Sequence, residues 1–386
     1  MARSGTLHII VFTDTFFETN GVGSYYRTVL DWCRRTEGIR ATIVCPARQG
    51  ADGDEIGEDV IAIRPSFPFR NPVYSHLTLG YFPQAKLCKI VSEISGPKVI
   101  HVATSGVLGV AGARAARRLK IPLVGCYHTD LQRYGRLYGR SLLGRPGAWI
   151  GGMITRACDR LAYAQCEAMS VPSPSAAETT KSFFPGSAEV IPHPIDVDWF
   201  RPGASKTGSF RDKYLRKGKL LAAVVGRIAK EKNLDLICEL LGKDERIDTV
   251  FVGDGPYAST LVEKWGARVT GFLHGQELLE AYQQSDVFIQ LSLTETFGLS
   301  LAEALACGLP AVVARSRGFV ENLVEGDGIE ILEDHELPTL GDRCVALTSN
   351  RKRYQESSQR ARALGLRCAA DAVLPKFRAF HEAVAR

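Results

Sequence analysis

The sequence predicts an α/β protein of two domains, each built on an open parallel sheet. Its 386 residues exceed the size at which one hydrophobic core usually keeps growing. Short β-branched runs alternate with helix-like stretches, which is the pattern of βαβ units. Between two such series lies a stretch rich in helix and strand breakers, namely Pro192, Pro194, Pro202, Gly203 and Gly208.

The first series is predicted to alternate strands with helices up to about residue 191. Its predicted strands are Leu7–Phe12, Ala41–Cys45, Val60–Ile63, Val99–Ala103, Leu123–Cys126, Ala168–Val171 and Glu189–Ile191. Its predicted helices include Val22–Thr36, Gly106–Leu119 and Pro174–Phe184.

The second series repeats the alternation and ends in helix. Its predicted strands are Leu220–Val225, Thr249–Val252, Val269–Gly271, Val287–Gln290, Ala311–Ala314 and Gly328–Ile331. Its predicted helices are Leu234–Leu241, Tyr257–Trp265, Gln276–Gln283 and Leu299–Cys307, followed by about 351–386 in two or more pieces.

Composition narrows the class of protein. The chain is 45% hydrophobic and 23% charged, and its net charge of +6 suits anionic ligands or an anionic membrane face without implying nucleic acid. Its apolar runs are far below the roughly 20 residues that span a bilayer, and Leu7–Phe12 is too short for a signal peptide. Ten scattered cysteines with no C-x-x-C pair predict free thiols in a reducing cytoplasm.

A polar loop and a helix follow the predicted strand Val287–Gln290. Glu295 lies in the loop and Glu303 about one and a half turns into the helix, which ends at Gly308. The free N–H groups around Phe297, Gly298 and Leu299 make an anion seat at the helix start. Two carboxylates beside such a seat suit a polyhydroxylated ligand, although two glutamates eight residues apart also occur by chance.

Two cations follow the strand Leu220–Val225. Arg227 comes just after its carboxyl end, and Lys232 is predicted near the start of the next helix. Because a cation there opposes the helix dipole, a purely structural role is unattractive, and an Arg fork with a Lys point charge would hold a diphosphate. A solvated basic loop is the alternative.

The glycine-rich loops match no dinucleotide or triphosphate motif. Gly253-Asp254-Gly255-Pro256 is a tight turn that permits close approach to a ligand. Gly21-x-Gly23 has Tyr26 where a third glycine should fall, and Gly139–Gly144 is followed by Arg-Pro instead of Lys-Ser/Thr. A nicotinamide oxidoreductase and a nucleoside triphosphatase are therefore disfavoured.

Tyr127-His128-Thr129-Asp130 follows the predicted strand Leu123–Cys126, so His128 is placed at the carboxyl end of the sheet. After it, Arg133, Arg136 and Arg140 alternate with aromatic and aliphatic residues. This pattern can lie on an anionic membrane face. An exposed charged loop explains it equally well.

These motifs together resemble the retaining nucleotide-sugar glycosyltransferases of the GT-B fold, specifically glycosyltransferase family 4. The resemblance spans nearly the whole chain and is most specific in the second half. It rests on Asp14 with Asn20–Gly23, on Tyr127–Asp130, on Gly226-Arg227 with Lys232-Asn233, on Val252–Pro256, and on Glu295–Leu299 with Glu303 and Gly308-Leu309-Pro310.

The resemblance implies two Rossmann-like domains that face a central cleft. An acceptor-side domain would cover 1–195 and a nucleotide-sugar-binding domain 196–365. The helix in 366–386 would cross back and pack on the first domain.

The resemblance also implies residue roles. Arg227 and Lys232 would hold the diphosphate, Glu295 the hydroxyls of the donor sugar, and Glu303 those of the ribose. His128 would lie beside the transferred sugar. Further donor contacts would come from Gly21, Gly23, Asp254, Phe272, Phe297, Gly298 and Leu299, and acceptor or membrane contacts from Asp14, Tyr127, Asp130, Arg133, Arg136 and Arg140.

The implied reaction is retaining hexosyl transfer from UDP- or GDP-hexose, with no metal and no other cofactor. His128-Thr129-Asp130 and the following Tyr/Arg-rich stretch are similar to enzymes that glycosylate membrane lipids at the cytoplasmic face, so a lipid or lipid-linked glycan acceptor is expected. A soluble sugar or small-molecule acceptor remains open, as does a non-catalytic nucleotide-sugar-binding protein. His193 departs from the family, whose members usually have asparagine there.

Overall fold

Parallel strands pair in both halves of the chain, and the predicted α/β class is confirmed. The computed structural model describes residues 5–18, 20–48, 51, 53–70, 78–216, 219–292, 295–315, 318–322 and 328–385. Two units divide the chain. Unit 1 is Met1–Pro194 together with Val373–Arg386, and unit 2 is Ile195–Ala372.

Unit 1 is built on an eight-stranded sheet of order β10-β9-β8-β7-β1-β2-β4-β3, in which only the edge strand β3 runs antiparallel. A separate antiparallel pair is formed by β5 and β6. The strands are β1 (Leu7–Phe12), β2 (Ile39–Pro46), β3 (Glu55–Ile56), β4 (Val60–Ile63), β5 (Ser66–Arg70), β6 (Thr78–Tyr81), β7 (Lys98–Val102), β8 (Leu123–Cys126), β9 (Ala168–Val171) and β10 (Ala188–Val190).

Helices cover the sheet of unit 1, so its central strands are buried on both faces and are almost continuously apolar. The helices within Met1–Pro194 are α1 (Gly21–Arg35), α2 (Gln84–Glu93), α3 (Val107–Leu119), α4 (Leu131–Tyr163) and α5 (Pro174–Thr180). The last helix of the chain, α13 (Ala370–Val384), belongs to unit 1 from Val373 onward.

Unit 2 has a six-stranded parallel sheet of order β13-β12-β11-β14-β15-β16. Its strands are β11 (Leu220–Val225), β12 (Ile247–Val252), β13 (Arg268–Val269), β14 (Val287–Gln290), β15 (Ala311–Ala314) and β16 (Ile329–Leu332). Its helices are α6 (Ser209–Tyr214), α7 (Leu234–Leu241), α8 (Ala258–Trp265), α9 (Gly275–Gln284), α10 (Leu299–Ala306), α11 (Leu340–Thr348) and α12 (Arg351–Leu366). Short 3-10 helices cover Lys230–Lys232, Gly318–Asn322 and Asp334–Thr339.

The largest difference from the predicted elements is α4. This helix begins after β8 and is 33 residues long, in a stretch for which the sequence predicted no helix. Non-helical backbone at Leu143 and Gly144 divides it into two arms. Among the described residues, no helix has both the length and the apolar character needed to cross a bilayer.

Candidate active site

The predicted donor-site residues of unit 2 lie at the carboxyl ends of two adjacent strands. β11 has β12 on one side and β14 on the other, so the order in which successive strands are added to the sheet reverses at this point. Open parallel sheets bind ligands at such a point because the loops on either side diverge. Arg227 follows β11 by two residues, and Glu295 lies in the loop between β14 and α10.

Both predicted cations form ion pairs here. Lys232 Nζ lies 2.5 Å from Glu295 Oε1, and Arg227 pairs with Glu231, four residues further along the chain. All four side chains are largely shielded from solvent, with Glu231 the most buried at 7% exposed. Burial strengthens these pairs relative to surface ones, so they hold the two cations in fixed positions. The structure therefore brings Lys232 and Glu295, two of the predicted donor-site residues, into direct contact.

Asn233 ties the cationic segment to the neighbouring loop. Its backbone is left-handed, with φ 54°, a conformation that asparagine adopts more readily than most residues. Its side-chain amide donates a hydrogen bond to the Leu291 carbonyl oxygen at 2.9 Å, directly after β14. Asn233 thereby sets where Lys232 stands relative to Glu295.

The anion seat was predicted at the loop before α10, and the structure places Gly298 at the N-terminus of this helix. Gly298 has φ 97°, which lets the chain turn sharply into the helix that begins at Leu299. The preceding Phe297 is buried and anchors the loop in the apolar core of unit 2. The dipole of α10 favours negative charge at this end.

Glu303 is buried inside α10 and receives a hydrogen bond from the Tyr282 hydroxyl at 2.7 Å. Burial raises the pKa of Glu303 to about 7, and the Tyr282 hydrogen bond opposes that rise. The carboxylate is therefore poised between its two protonation states near neutral pH.

Two further donor-site predictions lie on the other side of β11. Asp254 caps its own turn, because its carboxylate accepts from the Gly255 N–H at 2.7 Å. Phe272, just beyond β13, is 46% exposed and its ring stacks on His274 with an interplanar angle of 23°. An exposed aromatic ring of this kind can contact a flat heterocycle.

In unit 1, the predicted glycines and Asp14 lie at helix N-termini. Gly21 opens α1, and the Gly23 N–H donates to the Asn20 side chain at 2.8 Å as a helix cap. The buried Asp14 carboxylate accepts from the Thr104 hydroxyl at 2.6 Å and from the Leu108 N–H at 2.8 Å. Asp14 therefore caps α3, and burial raises its pKa against those hydrogen bonds.

Tyr127 and Asp130, predicted to serve the acceptor, also stabilise the fold. The buried Tyr127 hydroxyl donates to Asp130 Oδ1 at 3.1 Å. The same oxygen accepts the Arg133 N–H at 3.0 Å and so caps α4. An aspartate at position 130 is therefore explained by its role as the N-cap that stabilises α4.

His128 is buried within unit 1. Its Nδ1 lies 2.9 Å from His193 Nε2, and its Nε2 lies 2.9 Å from the Tyr26 hydroxyl. Burial lowers the pKa of His128 well below its usual range, with His193 adding to the effect. The ring is therefore neutral at physiological pH.

His101, Cys126 and His128 have donor atoms within 4.8 Å of one another, a spacing at which three side chains could hold a metal ion. The Tyr26 hydroxyl hydrogen-bonds to both imidazoles, and burial raises the pKa of the Cys126 thiol to about 12. A metal bound through Nε2 of either imidazole would have to displace its contact with the Tyr26 hydroxyl.

The two arms of α4 form an antiparallel hairpin held by glycine. A Cβ on Gly135 would lie 2.5 Å from the Gly151 carbonyl oxygen, and one on Gly139 would overlap the Gly147 carbonyl. Glycines four residues apart let two helix backbones approach closely. The alternative of an exposed charged loop for this stretch is wrong. A glycine by itself weakens a helix, but here the glycines allow contacts between the two arms that stabilise both helices.

The hairpin exposes both cations and large apolar side chains. Arg133, Arg136 and Arg140 of the first arm are exposed, as is Leu137, and the side chain of Arg136 runs along Gly152 of the second arm. The second arm exposes an apolar stripe whose most exposed member, Trp149, is 69% accessible. The stripe consists of Trp149, Ile150, Met153, Ile154 and Leu161.

Three groups of this site were not predicted. Asn233 and Tyr282 acquire their roles only when β11 and β14 become neighbours and α9 packs beside α10, whereas Glu231 contacts Arg227 within the same segment. The one local signal was Asn233, whose residue type favours left-handed backbone at a helix boundary.

Two family models match the chain. Glycosyltransferase Family 4 matches residues 19–199, and Glycosyl transferases group 1 matches residues 206–363. A GDP-mannose-dependent alpha-mannosyltransferase of Mycobacterium tuberculosis is 30% identical over 368 residues, which is 92% of each chain. An alpha-monoglucosyldiacylglycerol synthase of Streptococcus pneumoniae is 27% identical and covers 82% of this chain and 73% of its own.

The fold is shared with solved glycosyltransferase structures. The HepE protein of Anabaena, in complex with UDP-glucose, superposes with a TM-score of 0.74 at 16% identity and covers 97% of this chain and 99% of its own. Because the mycobacterial relative is matched over 92% of both chains, this chain belongs to the family 4, group 1 glycosyltransferases and is a glycosyltransferase of the GT-B fold.

Proposed function

We propose that the enzyme transfers a hexosyl group, with retention and without a metal ion, from a GDP- or UDP-hexose to a hydroxyl of a membrane lipid or lipid-linked glycan. The observation that carries this proposal is the ion pair between Lys232 and Glu295, which lie in the segments that follow the adjacent strands β11 and β14.

The donor follows from the charges and carboxylates of unit 2. Arg227 and Lys232 complement a diphosphate, and Glu295 and Glu303 can accept hydrogen bonds from sugar and ribose hydroxyls. The relative of M. tuberculosis named for GDP-mannose supports a nucleoside diphosphate hexose as donor.

In the proposed reaction, the bond between the anomeric carbon and the phosphate oxygen breaks and the acceptor oxygen bonds to that carbon on the same face. The acceptor proton passes to the departing phosphate oxygen. Arg227 and Lys232 stabilise the charge that develops on the diphosphate, which is an electrostatic contribution. Glu295 orients the hexose through its hydroxyls.

We expect Arg227→Ala and Lys232→Ala each to lower kcat by about 10²-fold or more, the effect of losing one charge-stabilising group. The assay follows radiolabelled hexose from GDP-mannose or UDP-glucose into a membrane lipid extract, separated by organic partition. Lys230→Ala, in the same 3-10 helix but exposed, is the matched control and should retain activity.

Near-native rates in both variants would contradict the assignment. Label that enters only water-soluble products would replace the lipid acceptor with a soluble one. Nucleotide binding in thermal-shift assays with no transfer or hydrolysis would indicate a non-catalytic binding protein. Activity lost with EDTA and restored by Mg²⁺ or Mn²⁺ would contradict metal independence.

The lipid acceptor is supported by the hairpin of α4. An exposed apolar stripe beside exposed arginines is typical of segments that lie in an anionic membrane interface. The relative of S. pneumoniae is named for a diacylglycerol product, which agrees with an acceptor presented by a membrane.

We expect the protein to co-sediment with vesicles that contain anionic phospholipid. The triple variant Arg133→Glu, Arg136→Glu, Arg140→Glu should lose most of this binding, because each arginine near an anionic surface contributes about 1 kcal/mol. The control makes the same charge change on the exposed face of α3, with Arg114, Arg117 and Arg118 all replaced by Glu. Equal loss in both variants would show that net charge alone is responsible.

A further inference from the structure

Five buried side chains of unit 1 form a continuous line of hydrogen bonds. They come from the chain segment after β10, the loop after β8, helix α1, strand β7 and helix α13. In order along the line they are His193, His128, Tyr26, His101 and His381.

Every contact in this line has the length of a hydrogen bond. His193 Nε2 to His128 Nδ1 is 2.9 Å, and His128 Nε2 to the Tyr26 oxygen is 2.9 Å. The Tyr26 oxygen to His101 Nε2 is 2.7 Å, and His101 Nδ1 to His381 Nε2 is 2.8 Å. Burial lowers the pKa of each histidine, to about 4 for His381 and about 3 for His193, so all four are neutral at pH 7.

The direction of every hydrogen bond follows from the last one. His381 Nδ1 lies 2.7 Å from the carbonyl oxygen of Phe377, which can only accept, so Nδ1 carries the proton of His381. A neutral imidazole has one N–H, so His381 Nε2 must accept from His101 Nδ1–H. His101 Nε2 then accepts from the Tyr26 hydroxyl.

The same logic continues to the other end. Since the Tyr26 hydroxyl proton points to His101, its oxygen accepts from His128 Nε2–H. His128 Nδ1 then accepts from His193 Nε2–H. His101 and His381 are therefore Nδ1–H tautomers, and His128 and His193 are Nε2–H tautomers.

We propose that this line is a tautomer lock in which His381 of the C-terminal helix fixes the tautomer and ring orientation of His128 through His101 and Tyr26. These three residues and His193 are positioning residues. The line ends at a backbone carbonyl, which cannot pass a proton onward, so the geometry favours positioning over proton conduction. The consequence for catalysis rests on the proposed function, which places His128 beside the transferred sugar.

The test is ¹⁵N NMR of histidine-labelled full-length protein, in which two-bond proton–nitrogen correlations distinguish Nδ1–H from Nε2–H. We expect wild-type protein at pH 7 to show the four tautomers assigned above. A His128 signal from the Nδ1–H tautomer or from imidazolium would overturn the lock.

Variants of His381 test the coupling. His381→Leu removes the acceptor for His101, so His128 should change from a single Nε2–H tautomer to a mixture. His381→Gln places an amide oxygen that can accept in the same place, so it should restore the single tautomer. In a Tyr26→Phe background the line is interrupted, and His381→Leu should then leave the His128 signal unchanged.

Activity provides a separate readout. His381→Leu should lower kcat, by up to about 10²-fold if the reacting groups shift by 1 Å, while KM for the donor changes little. An altered His101 signal with an unchanged His128 signal in His381→Leu would overturn the coupling, as would stoichiometric zinc bound through Cys126. Because the NMR experiment needs no turnover, the lock and the proposed transferase reaction can fail independently. If the leucine variant does not fold, Tyr26→Phe alone interrupts the line, and a single Nε2–H tautomer of His128 in that variant would overturn the lock.

Discussion

At the scale of single residues, the candidate site depends on groups that become neighbours only when the sheet forms. Arg227, Lys232 and Glu295 could be predicted because each follows a recognisable strand or precedes a recognisable helix. Their partners could not, because pairing Glu231 with Arg227 and Tyr282 with Glu303 requires the side-chain directions. Sequence spacing alone predicts which end of a sheet a residue occupies but not its hydrogen-bond partner.

The pKa of about 7 at Glu303 predicts a pH dependence of nucleotide binding. If ribose hydroxyls bind the ionised carboxylate, affinity for GDP or UDP should rise as pH increases through 7 and level off above it, because binding then favours proton release. Tyr282→Phe removes a hydrogen bond that lowers this pKa, so the midpoint should move to higher pH. Isothermal titration between pH 5.5 and 8.5 measures both effects.

Glu303→Gln is the control for the titration of the nucleotide's own phosphate, which also falls in this range. Its binding should be weaker and should keep only the phosphate-dependent part of the profile. A wild-type profile identical to that of Glu303→Gln would show that this carboxylate does not meet the ligand.

At the scale of elements, most strands could be predicted because central parallel strands are buried on both faces. Helix α4 could not. Considered one at a time, glycine and proline predict the end of a helix, and this stretch contains Gly135, Gly139, Pro146, Gly147 and Gly151. In the structure, each of these glycines faces a glycine of the opposite arm, so packing between the arms overrides local propensity.

The hairpin predicts an unusual sign for a glycine substitution. Gly139→Ala should destabilise unit 1, although alanine is favoured over glycine within a helix by about 1 kcal/mol. The added methyl group would overlap the Gly147 carbonyl, and overpacking of this kind costs roughly 1–3 kcal/mol or more. Thermal unfolding measures the change, with the exposed Ser141→Ala as a control expected to stay within about 0.5 kcal/mol of wild type. A stabilised Gly139→Ala would contradict the close packing.

At the scale of the whole molecule, the two parallel sheets and the GT-B fold could be predicted from the alternation of elements and from the motifs. The line of buried histidines could not. Its members lie far apart in sequence, from Tyr26 to His381, and nothing near His101 or His381 suggests a partner. Only the order of strands in the sheet and the place of α13 in unit 1 bring them together.

This line predicts a contribution to the stability of unit 1 that is lost in mild acid. Each of the four histidines would take up a proton at about pH 6.5 when unfolded but resists it when folded. The contribution of the histidines is therefore fully present above pH 6.5 and is lost as pH drops. For His381, whose folded pKa is about 4, the loss is up to about 1.4 kcal/mol per pH unit down to that pH. The neighbouring groups Cys126, Tyr25 and Tyr26 stay neutral throughout, since burial raises their pKa.

The measurement is urea unfolding between pH 4 and 8, followed by fluorescence of a variant in which Trp199 and Trp265 of unit 2 are phenylalanine. Trp32 and Trp149 then report on unit 1. His381→Gln removes one titrating group and should reduce the slope. The buried carboxyls Asp14 and Asp159 of unit 1 oppose this slope, because burial raises their pKa, that of Asp159 to about 6. The comparison with His381→Gln is therefore decisive, and an unchanged slope in that variant would mean that His381 is protonated alike in the folded and unfolded chain.

The paired glycines of α4 also restrict how this part of the chain can change in length. Each residue advances a helix by about 100°, so deleting one residue inside either arm would rotate every glycine beyond it out of phase with its counterpart. Insertions at Leu143 and Gly144, outside regular helical backbone, leave the phase intact. Changes in length, epitope tags and spectroscopic labels should therefore be tolerated at the tip of the hairpin, whereas in its two arms they should disrupt the packing of the glycines.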